Sequence, residues 1–460
     1  MVNNEIYNTL NFISFANFKS WDVKSFKINS QKFNFKTIEL KEVLSKTEIQ
    51  WVEISDSMEY PILGVRSHGQ GVYINRIAKG HELTMKRYQR SKINTLFFCK
   101  VRTVGGQWGV VYPDFADSYA SSNMTYLDID FTRIIPQYLE MLLKVQRLTS
   151  EWDKNAIGAD GRHFTLSTML DLQIPLPSLA EQKQLVTEYQ GKIDFANSCE
   201  KQAQELEQSI ETYLYSELGL KGDDAVISRP TTKLLSFTKF SKILNSWSLK
   251  LSKNLNSNLY YVISLSENSQ LLKDIYRGKS PKYSSNGDTI ILNQKCNRWD
   301  DFDLSHAKNV DSAWLHSIDR KFFTKENDVL INSTGEGTIG RTSVVSKDVT
   351  NILYDSHLLL LRLNNKLINS KYFVSFMNSN LGQKQISLVK SANSTKQTEL
   401  GIDNCKKVLF PLPPLDIQNK IADHITNIKN QIKELKQLAE KNRTNAILDF
   451  EKAIFHHENH

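Results

Sequence analysis

A proline-rich motif that precedes a helix-like stretch occurs twice, and it constrains the fold of this chain more than any other feature. It reads Ile174-Pro-Leu-Pro-Ser-Leu-Ala-Glu-Gln182 in the first copy and Phe410-Pro-Leu-Pro-Pro-Leu-Asp-Ile-Gln418 in the second. Each Pro-Leu-Pro is stiff and lacks backbone donors, so it ends the element before it. Ser178 or Asp416 can then cap a new helix. We predict a long helix after each copy, and forty helical residues span roughly 60 Å.

Apolar residues after the second motif repeat in heptads, which predicts a coiled coil. The seam positions step by four and three residues: Ile421, Ile425, Ile428, Ile432 and Leu435. The first copy is less regular, and its predicted seam uses Val186, Ile193 and Ile210. One such helix cannot bury its seam alone. We therefore predict that the two helices pair with each other as an intramolecular coiled coil.

The chain also resembles itself outside these motifs, which indicates a tandem pseudo-repeat. Gly106-Gln-Trp-Gly-Val-Val111 parallels Gly340-Arg-Thr-Ser-Val-Val345, and a strand-like run precedes each segment. Short β-like runs between Gly, Asn and Asp turns predict an α+β fold, with two domains of mixed α/β sheet type. The predicted order along the chain is a domain over 1–174, a helical spacer over 175–219, a linker over 220–235, a second domain over 236–409 and a helical spacer over 410–460.

Composition indicates the class of partner. The formal charge of +8 and the pI of about 9.0 favour an anionic partner, nucleic acid first. The four cysteines are far apart and form no CxxC pair, which argues against a metal site or a disulfide scaffold and fits a reducing compartment. We read no signal peptide and no apolar run of about 18 residues, so the prediction is a cytoplasmic protein without a membrane partner.

Two motifs invite a catalytic or metal-binding interpretation, and neither has the expected context. Gly335-Glu-Gly-Thr-Ile-Gly340 matches a dinucleotide fingerprint, but a strand-like run follows it where a helix is required. We interpret it as a glycine-shaped turn in a binding surface and keep nucleotide binding as a minor alternative. The acidic loop around Asp300 and His306 could bind a cation, although a solvated turn is the simpler interpretation. We predict no catalytic residues, no metal site and no cofactor on this chain.

Basic and amide side chains interleaved with aromatics predict DNA contacts, because Arg reads guanine, Asn or Gln reads adenine, and Lys and Arg meet phosphates. In the first domain this pattern comprises Arg66, Ser67, His68, Gln70 and Tyr73, of which Arg66, His68 and Gln70 are the predicted contacts. In the second domain it comprises Lys279, Lys282, Tyr283, Asn293, Gln294, Lys295, Arg298 and Trp299, of which Lys282, Asn293, Lys295 and Arg298 are the predicted contacts.

The chain has two Pro-Leu-Pro motifs, each followed by a predicted long helix. With these elements in this order, it resembles the specificity subunits of type I restriction–modification systems over nearly its whole length. The resemblance implies two target-recognition domains that each read one half of a bipartite, gapped double-stranded DNA target. It also implies an antiparallel helical pair that sets the gap and docks two methyltransferase subunits. Those subunits would bring S-adenosylmethionine for adenine N6 methylation, and motor-nuclease subunits would bring ATP and Mg. This chain would be the non-catalytic subunit that recognises the target sequence. The resemblance further implies loop contacts to DNA, for which we predict Arg102, Gln107, Trp108, Arg162 and His163 in the first domain and Thr334, Thr338, Arg341, Lys396 and Gln397 in the second.

Other interpretations stay open at this stage. The chain could be the specificity chain of a system with fused cleavage and methylation activities, which only the identity of its partner distinguishes. It could instead be a non-catalytic coiled-coil scaffold that binds proteins. A scaffold has no salt-sensitive DNA affinity, whereas phosphate contacts make log K fall linearly with log salt concentration.

Overall fold

The computed structural model describes residues 33–100, 106–153, 166–220, 255–392 and 398–456. The elements of the first half are listed here in chain order: β1 (Thr37–Glu39), β2 (Leu44–Lys46), β3 (Trp51–Glu53), β4 (Glu59–Val65), β5 (Val72–Lys79), β6 (Arg87–Arg90), β7 (Thr95–Cys99), β8 (Trp108–Val110), β9 (Tyr119–Ala120), β10 (Met124–Ile129), α1 (Pro136–Lys144), α2 (Gln146–Asp153), α3 (Leu166–Leu170), β11 (Gln173–Pro175) and α4 (Leu179–Glu217).

The second half repeats this pattern of strands, short helices and one long helix. Its elements are β12 (Val262–Ser264), β13 (Leu272–Arg277), β14 (Thr289–Leu292), β15 (Lys308–Val310), α5 (Ser312–His316), β16 (Val329–Asn332), β17 (Thr342–Val344), β18 (Leu353–Tyr354), β19 (Leu358–Leu363), α6 (Ser370–Asn378), α7 (Asn380–Val389), β20 (Ser391–Ala392), β21 (Thr398–Glu399), α8 (Ile402–Lys406), β22 (Leu409–Pro411) and α9 (Leu415–Ile454).

The strand order of the sheets confirms the tandem pseudo-repeat. The first half contains a four-stranded sheet in the order β2-β10-β7-β8, and the second half contains the matching order β13-β19-β16-β17. In each half a further short antiparallel pair joins the first strand to the strand before the long helix, β1 with β11 and β12 with β22. The halves differ in their second sheet, which is β3-β6-β9-β4-β5 in one and β15-β14-β18 in the other. The fold is α+β, as predicted.

The chain forms two compact units, and each long helix contributes to both. Unit 1 comprises Met1–Cys199 and Gln437–His460, and unit 2 comprises Glu200–Lys436. The core of unit 1 includes the fully buried Trp108 and Tyr138, and the core of unit 2 includes Tyr372 and Phe410. The predicted domain boundaries stay predictions, and the linker over 220–235 lies outside the described residues except for Leu220.

The glutamine that ends each motif fastens the start of a long helix to its own domain. In unit 1 the fully buried Gln182 accepts a hydrogen bond from the Ile135 backbone N–H at 2.8 Å and donates to the Pro177 carbonyl at 2.9 Å. In unit 2 the fully buried Gln418 accepts from the Asn369 N–H at 2.8 Å and donates to the Pro413 carbonyl at 2.9 Å. Buried polar groups require such partners, so this amide fixes where the helix begins.

A buried tyrosine supports the same junction in each unit. The Tyr138 hydroxyl of α1 donates to the Pro175 carbonyl at 2.9 Å, and the Tyr372 hydroxyl of α6 donates to the Pro411 carbonyl at 2.7 Å. Desolvation raises the pKa of both phenols, so both stay protonated donors. Sequence inspection found the prolines and the glutamines of this junction but not the tyrosines.

Within unit 2, the second half of α4 packs against the first half of α9. Ile428 and Ile432 pack with Ala203, and the partly buried Ile210 and Leu435 lie beside them. Ile421 and Ile425 join the main core of the unit. Lys436 forms an ion pair with Glu207 at 2.6 Å, and Lys420 forms one with Glu217 at 3.4 Å. Because α4 numbers rise as α9 numbers fall, the two helices run antiparallel.

Within unit 1, the first half of α4 packs against the second half of α9 in the same sense. Lys192 contacts Asp449 at 2.5 Å, and the Arg443 guanidinium donates to the Asn197 side chain at 2.8 Å. Ala196, Ala439 and Ala446 are almost fully buried. Val186 packs on the core of the unit, whereas Ile193 is only partly buried. The predicted antiparallel coiled coil is therefore part of the fold.

The end of each long helix meets the beginning of a domain. In unit 1, the Asn34 side chain donates to the Ala453 carbonyl in the last turn of α9 at 3.0 Å and to the Phe455 carbonyl just beyond it at 3.1 Å, and Phe33 stacks on Phe455. In unit 2, the Ser257 hydroxyl donates to the Leu218 carbonyl at 2.6 Å, beyond the last turn of α4. Orphan carbonyls at a helix end need such donors.

The cysteines of the chain are free thiols in the structure. Among the described residues, no helix combines the length and the apolar character that a membrane span requires.

Candidate nucleic-acid interface

Two polar loops of unit 2 lie side by side, one after β14 and one between β16 and β17. The second loop contains Gly335, Gly337 and Gly340, all at positive φ (100°, 74° and 87°), a backbone conformation that favours glycine. The Gly340 N–H donates back to the Asn332 carbonyl at 2.9 Å, and the chain continues into β17, the antiparallel partner of β16. No helix starts within the motif, so it is a turn and not a dinucleotide cradle.

The two loops meet at a stacked pair of side chains. The Arg341 guanidinium lies over the Trp299 ring, 5.9 Å from its centroid, and Trp299 is 46% exposed. Thr338 donates to the Thr334 carbonyl at 3.2 Å, and the Thr334 hydroxyl is 2.7 Å from His357 Nδ1. Arg341, Thr334 and Thr338 therefore lie together in one partly exposed loop, and their contact with DNA stays a prediction.

The cations near these loops differ in how strongly carboxylates hold them. Arg298 is 3.4 Å from Asp303, and hydrogen bonds from Ser305, together with Arg298, hold the pKa of the Asp303 carboxyl below its usual range. Lys282 is exposed and 3.7 Å from Asp311, and Lys295 is exposed. The two lysines can reach an anion with little rearrangement, while Arg298 must share its charge.

The acidic loop is occupied by contacts within the protein. Asp300 forms an ion pair with Lys429 of α9 at 2.8 Å, and Asp303 caps a short turn by accepting from the Ser305 N–H. Burial raises the pKa of the neighbouring Asp355 carboxyl, which accepts from the His357 N–H. Over the described ranges, no group of three or more His, Cys, Asp or Glu residues could hold a metal ion.

Two predicted DNA contacts are corrected by the structure. Asn293 is 7% exposed, and its side chain donates to the His306 carbonyl at 2.6 Å and accepts from the Lys295 N–H at 2.8 Å. Both ends of its amide thus shape the loop. Trp108 is fully buried and its indole N–H donates to the Leu143 carbonyl at 3.3 Å, so it packs the core of unit 1. Burial therefore keeps both side chains from contacting DNA.

In unit 1 the corresponding surface is the hairpin between β4 and β5. Arg66, His68 and Gln70 are exposed on it, and the Arg66 guanidinium lies over the Tyr73 ring, 5.0 Å from its centroid. Gln107, from the turn before β8, is partly exposed on the adjoining segment. The Gly69 N–H donates to the Gly106 carbonyl at 2.8 Å, so the two segments touch.

Glycines allow this close approach. A Cβ on Gly106 would lie 2.9 Å from the His68 Cα, and one on Gly109 would lie 2.7 Å from the Gly71 Cα. Either atom would push the segments apart. The remaining predicted contacts lie outside the described residues: Arg102, Arg162, His163, Lys396 and Gln397.

Sequence inspection missed part of this surface. The segments of Lys279 and Trp299 were singled out, but the partners of these side chains were not, and the Lys279 ammonium lies over the Phe322 ring, 4.4 Å from its centroid. Lys308 likewise lies over the exposed Tyr283 ring at 4.8 Å. Each pair joins residues that are distant in sequence, so no local pattern indicates it.

Comparison with known proteins identifies related chains. Residues 282–443 match the family described as Type I restriction modification DNA specificity domain. The type I restriction enzyme EcoBI specificity subunit of Escherichia coli is 22% identical over 303 residues, which cover 65% of this chain and 58% of that protein. The match therefore spans less than two thirds of the relative's length.

The chain is also similar to solved structures. One described as the structural basis of complex assembly and conformational transition of the type I R-M system has a TM-score of 0.53 at 16% identity, covering 91% of this chain and 97% of that chain. The crystal structure of the HsdS subunit from Thermoanaerobacter tengcongensis gives a TM-score of 0.44 at 15% identity, covering 91% and 96%.

Proposed function

We propose that this chain, which belongs to the specificity subunits of type I restriction–modification systems, recognises the DNA sequence on behalf of such a complex. The observation that carries the proposal is the domain match over 282–443, because this range contains both polar loops of unit 2 and most of α9. Unit 1 presents its own polar hairpin, between β4 and β5, which contacts the turn before β8. Two such surfaces on one chain suit a target with two separate half-sites.

The charge distribution supports duplex DNA as the ligand. The chain carries a formal charge of +8, and exposed cations such as Lys282, Lys295 and Arg66 lie on the two surfaces. Lysine and arginine contacts to phosphates supply affinity, while contacts to base edges supply sequence preference. The coiled coil gives the unspecified gap a fixed length, and a rigid connection makes binding of the second half-site effectively intramolecular.

The proposal assigns the chemistry to partner subunits. Two methyltransferase subunits dock on the specificity chain and bring S-adenosylmethionine, and motor-nuclease subunits bring ATP and Mg. The specificity chain binds no cofactor, makes no membrane contact and works in the cytoplasm. Its own residues orient the complex on the target, so that a methyltransferase can take the adenine out of the stack.

The adenine methylome of cells with and without this gene tests the proposal. Loss of one bipartite, gapped motif on deletion, restored by the gene on a plasmid, is the expected result. An unchanged methylome in cells that produce the methyltransferase subunits would overturn it. A protein-binding scaffold would in addition show no linear fall of DNA affinity with log salt concentration.

A further inference from the structure

The Arg341 side chain is held in place while most of its donors stay available. Its guanidinium lies on the Trp299 ring, and one terminal nitrogen makes a 3.5 Å contact with the Gly337 carbonyl. Its Nε is buried without a hydrogen-bond partner. In the part of the chain that the structure describes, no carboxylate forms an ion pair with Arg341. The guanidinium can therefore engage a ligand without first breaking a salt bridge.

The backbone of Arg341 is fixed by two buried amides. Its carbonyl accepts from the Asn332 N–H at 2.9 Å and from the Asn297 side chain at 3.0 Å. Asn297 and Asn332 are both fully buried. Since buried hydrogen bonds leave little freedom to either partner, the point from which the arginine projects is rigid.

Contacts on two sides fix the turn that contains Trp299. Toward β17, the Ser343 hydroxyl donates to the Arg298 carbonyl at 2.7 Å, and the Asp300 N–H donates to the Thr342 carbonyl at 3.2 Å. On the other side, the Asp300 carboxylate meets Lys429 of α9 at 2.8 Å, with side chains 26% and 32% exposed. Asp300 also has a φ of 66°, a conformation that a residue other than glycine keeps only when its surroundings impose it.

We propose that Arg341 reads a guanine of the half-site bound by unit 2, and that Trp299 and the Asp300–Lys429 ion pair are its positioning groups. This inference rests on the proposed function. A guanidinium donates two parallel hydrogen bonds to guanine O6 and N7 in the major groove, a geometry that needs a fixed fork. The exposed Lys282 and Lys295 suit phosphates instead. A residue of the coiled coil, Lys429, thus contributes to the sequence preference of a loop.

The test uses the full chain in complex with its methyltransferase subunits and DNA duplexes carrying the methylome motif. Each guanine of the motif is replaced in turn by 7-deazaguanine, which removes only the N7 acceptor. One replacement should weaken binding of the native complex roughly five- to a hundredfold. The Arg341→Ala complex should bind the unmodified duplex and this 7-deazaguanine duplex with equal affinity. A native complex insensitive to every replacement, or an Arg341→Ala complex that keeps the full sensitivity, overturns the inference.

The ratio between the affinities for the guanine duplex and the 7-deazaguanine duplex also tests the positioning groups. Trp299→Leu and Lys429→Met should each reduce the ratio between the guanine and 7-deazaguanine duplexes, and the exchange of Asp300→Lys with Lys429→Asp should restore part of it. Lys433→Met, an exposed lysine one turn further along α9, should leave the ratio unchanged. If Lys429→Met also leaves it unchanged, the ion pair has no positioning role.

The two proposals fail in different ways. Without a bipartite methylation motif in the native cells, the proposed function fails. With that motif present but no guanine linked to Arg341, only the further inference fails. Recognition of the other half-site and the thermal unfolding temperature show for each variant that the complex is still folded.

Discussion

Gln182 and Gln418 make the same contacts at the same place in the two repeats. Each is fully buried, accepts from a backbone N–H before a helix of its domain, and donates to the carbonyl of the second proline of Pro-Leu-Pro. The side chain therefore joins three parts of each unit: the motif, the long helix and the shorter helix beside it. The two copies of the motif have the same spacing, and this spacing places the glutamine amide within reach of all three parts.

Replacing Gln418 by leucine should destabilise unit 2. The apolar side chain leaves the Asn369 N–H and the Pro413 carbonyl without partners, and each buried orphan costs about 1–3 kcal/mol. Urea unfolding of the chain, followed by fluorescence, measures the loss. Gln431→Leu, at an exposed position of α9, is the matched control and should change the free energy of unfolding little. Equal stability of both variants would contradict the role of Gln418.

Arg362→Met should be among the most destabilising single changes in unit 2. The Arg362 guanidinium makes two hydrogen bonds to Asp328, at 2.9 and 2.8 Å, and the Asp328 side chain is only 3% exposed. Hydrogen bonds to Asp328 raise the pKa of Arg362, so the guanidinium stays protonated. Loss of the cation leaves a buried carboxylate uncompensated, which costs about 3–5 kcal/mol. Calorimetry against the exposed Lys366→Met control should show a large drop in unfolding temperature for Arg362→Met alone.

Glu451 should make stability depend on pH. Burial raises its pKa above the ordinary value of 4.5, and the nearby Arg147 offsets this only in part. The folded state therefore binds the proton of Glu451 more tightly than the unfolded state does. The stability that this gives is fully present below pH 4.5 and is lost as the pH rises through the raised pKa. Glu451→Gln should therefore stabilise unit 1 at neutral pH and make no difference below 4.5. Glu440→Gln, exposed on the same helix, should show neither effect.

Lys282 and Lys295 should act through phosphates. Each alanine variant should weaken binding to all DNA sequences alike and reduce the slope of log K against log salt by about one. Fluorescence anisotropy at several salt concentrations, on specific and random duplexes, measures both quantities. A loss confined to the specific duplex would instead mean that the lysine contacts a base.

Removing one heptad from each long helix should shorten the gap in the target. Deleting residues 200–206 together with 435–441 removes facing segments, so the seams stay in register. The helices lose about 10 Å, the length of roughly three base pairs. Methylome sequencing should show the same half-sites at a shorter spacing. An unchanged gap in a folded variant would remove the coiled coil as the determinant of spacing.

The sequence predicted those features whose signal is local. The heptads after Leu415 identified α9, because burial at every third or fourth residue leaves a pattern in the composition of the helix itself. The β-branched run after Gly340 likewise separated a turn from a nucleotide cradle. The antiparallel sense of the helices came from resemblance to a family and not from the heptads, which fit either direction.

Other features depend on partners that are distant in sequence. Trp108 lies between Gln107 and a glycine and looks like part of an exposed loop, yet all three residues of strand β8 are buried and Trp108 packs in the core. The ion pair between Asp300 and Lys429 joins a loop to a helix far along the chain. Neither residue type nor spacing indicates which of many lysines meets a given aspartate, and only the folded chain decides it.

The contacts of Asn34 and Ser257 make the covalent order of the repeats interchangeable. In unit 1, residues 33–34 hold the end of α9, and in unit 2, Ser257 holds the end of α4. A circular permutant that joins residue 456 to residue 33 through a flexible tether, and is cut between 221 and 254, would keep every hydrogen bond described above. The packing within each unit therefore depends on these contacts and not on the order in which the two repeats are joined.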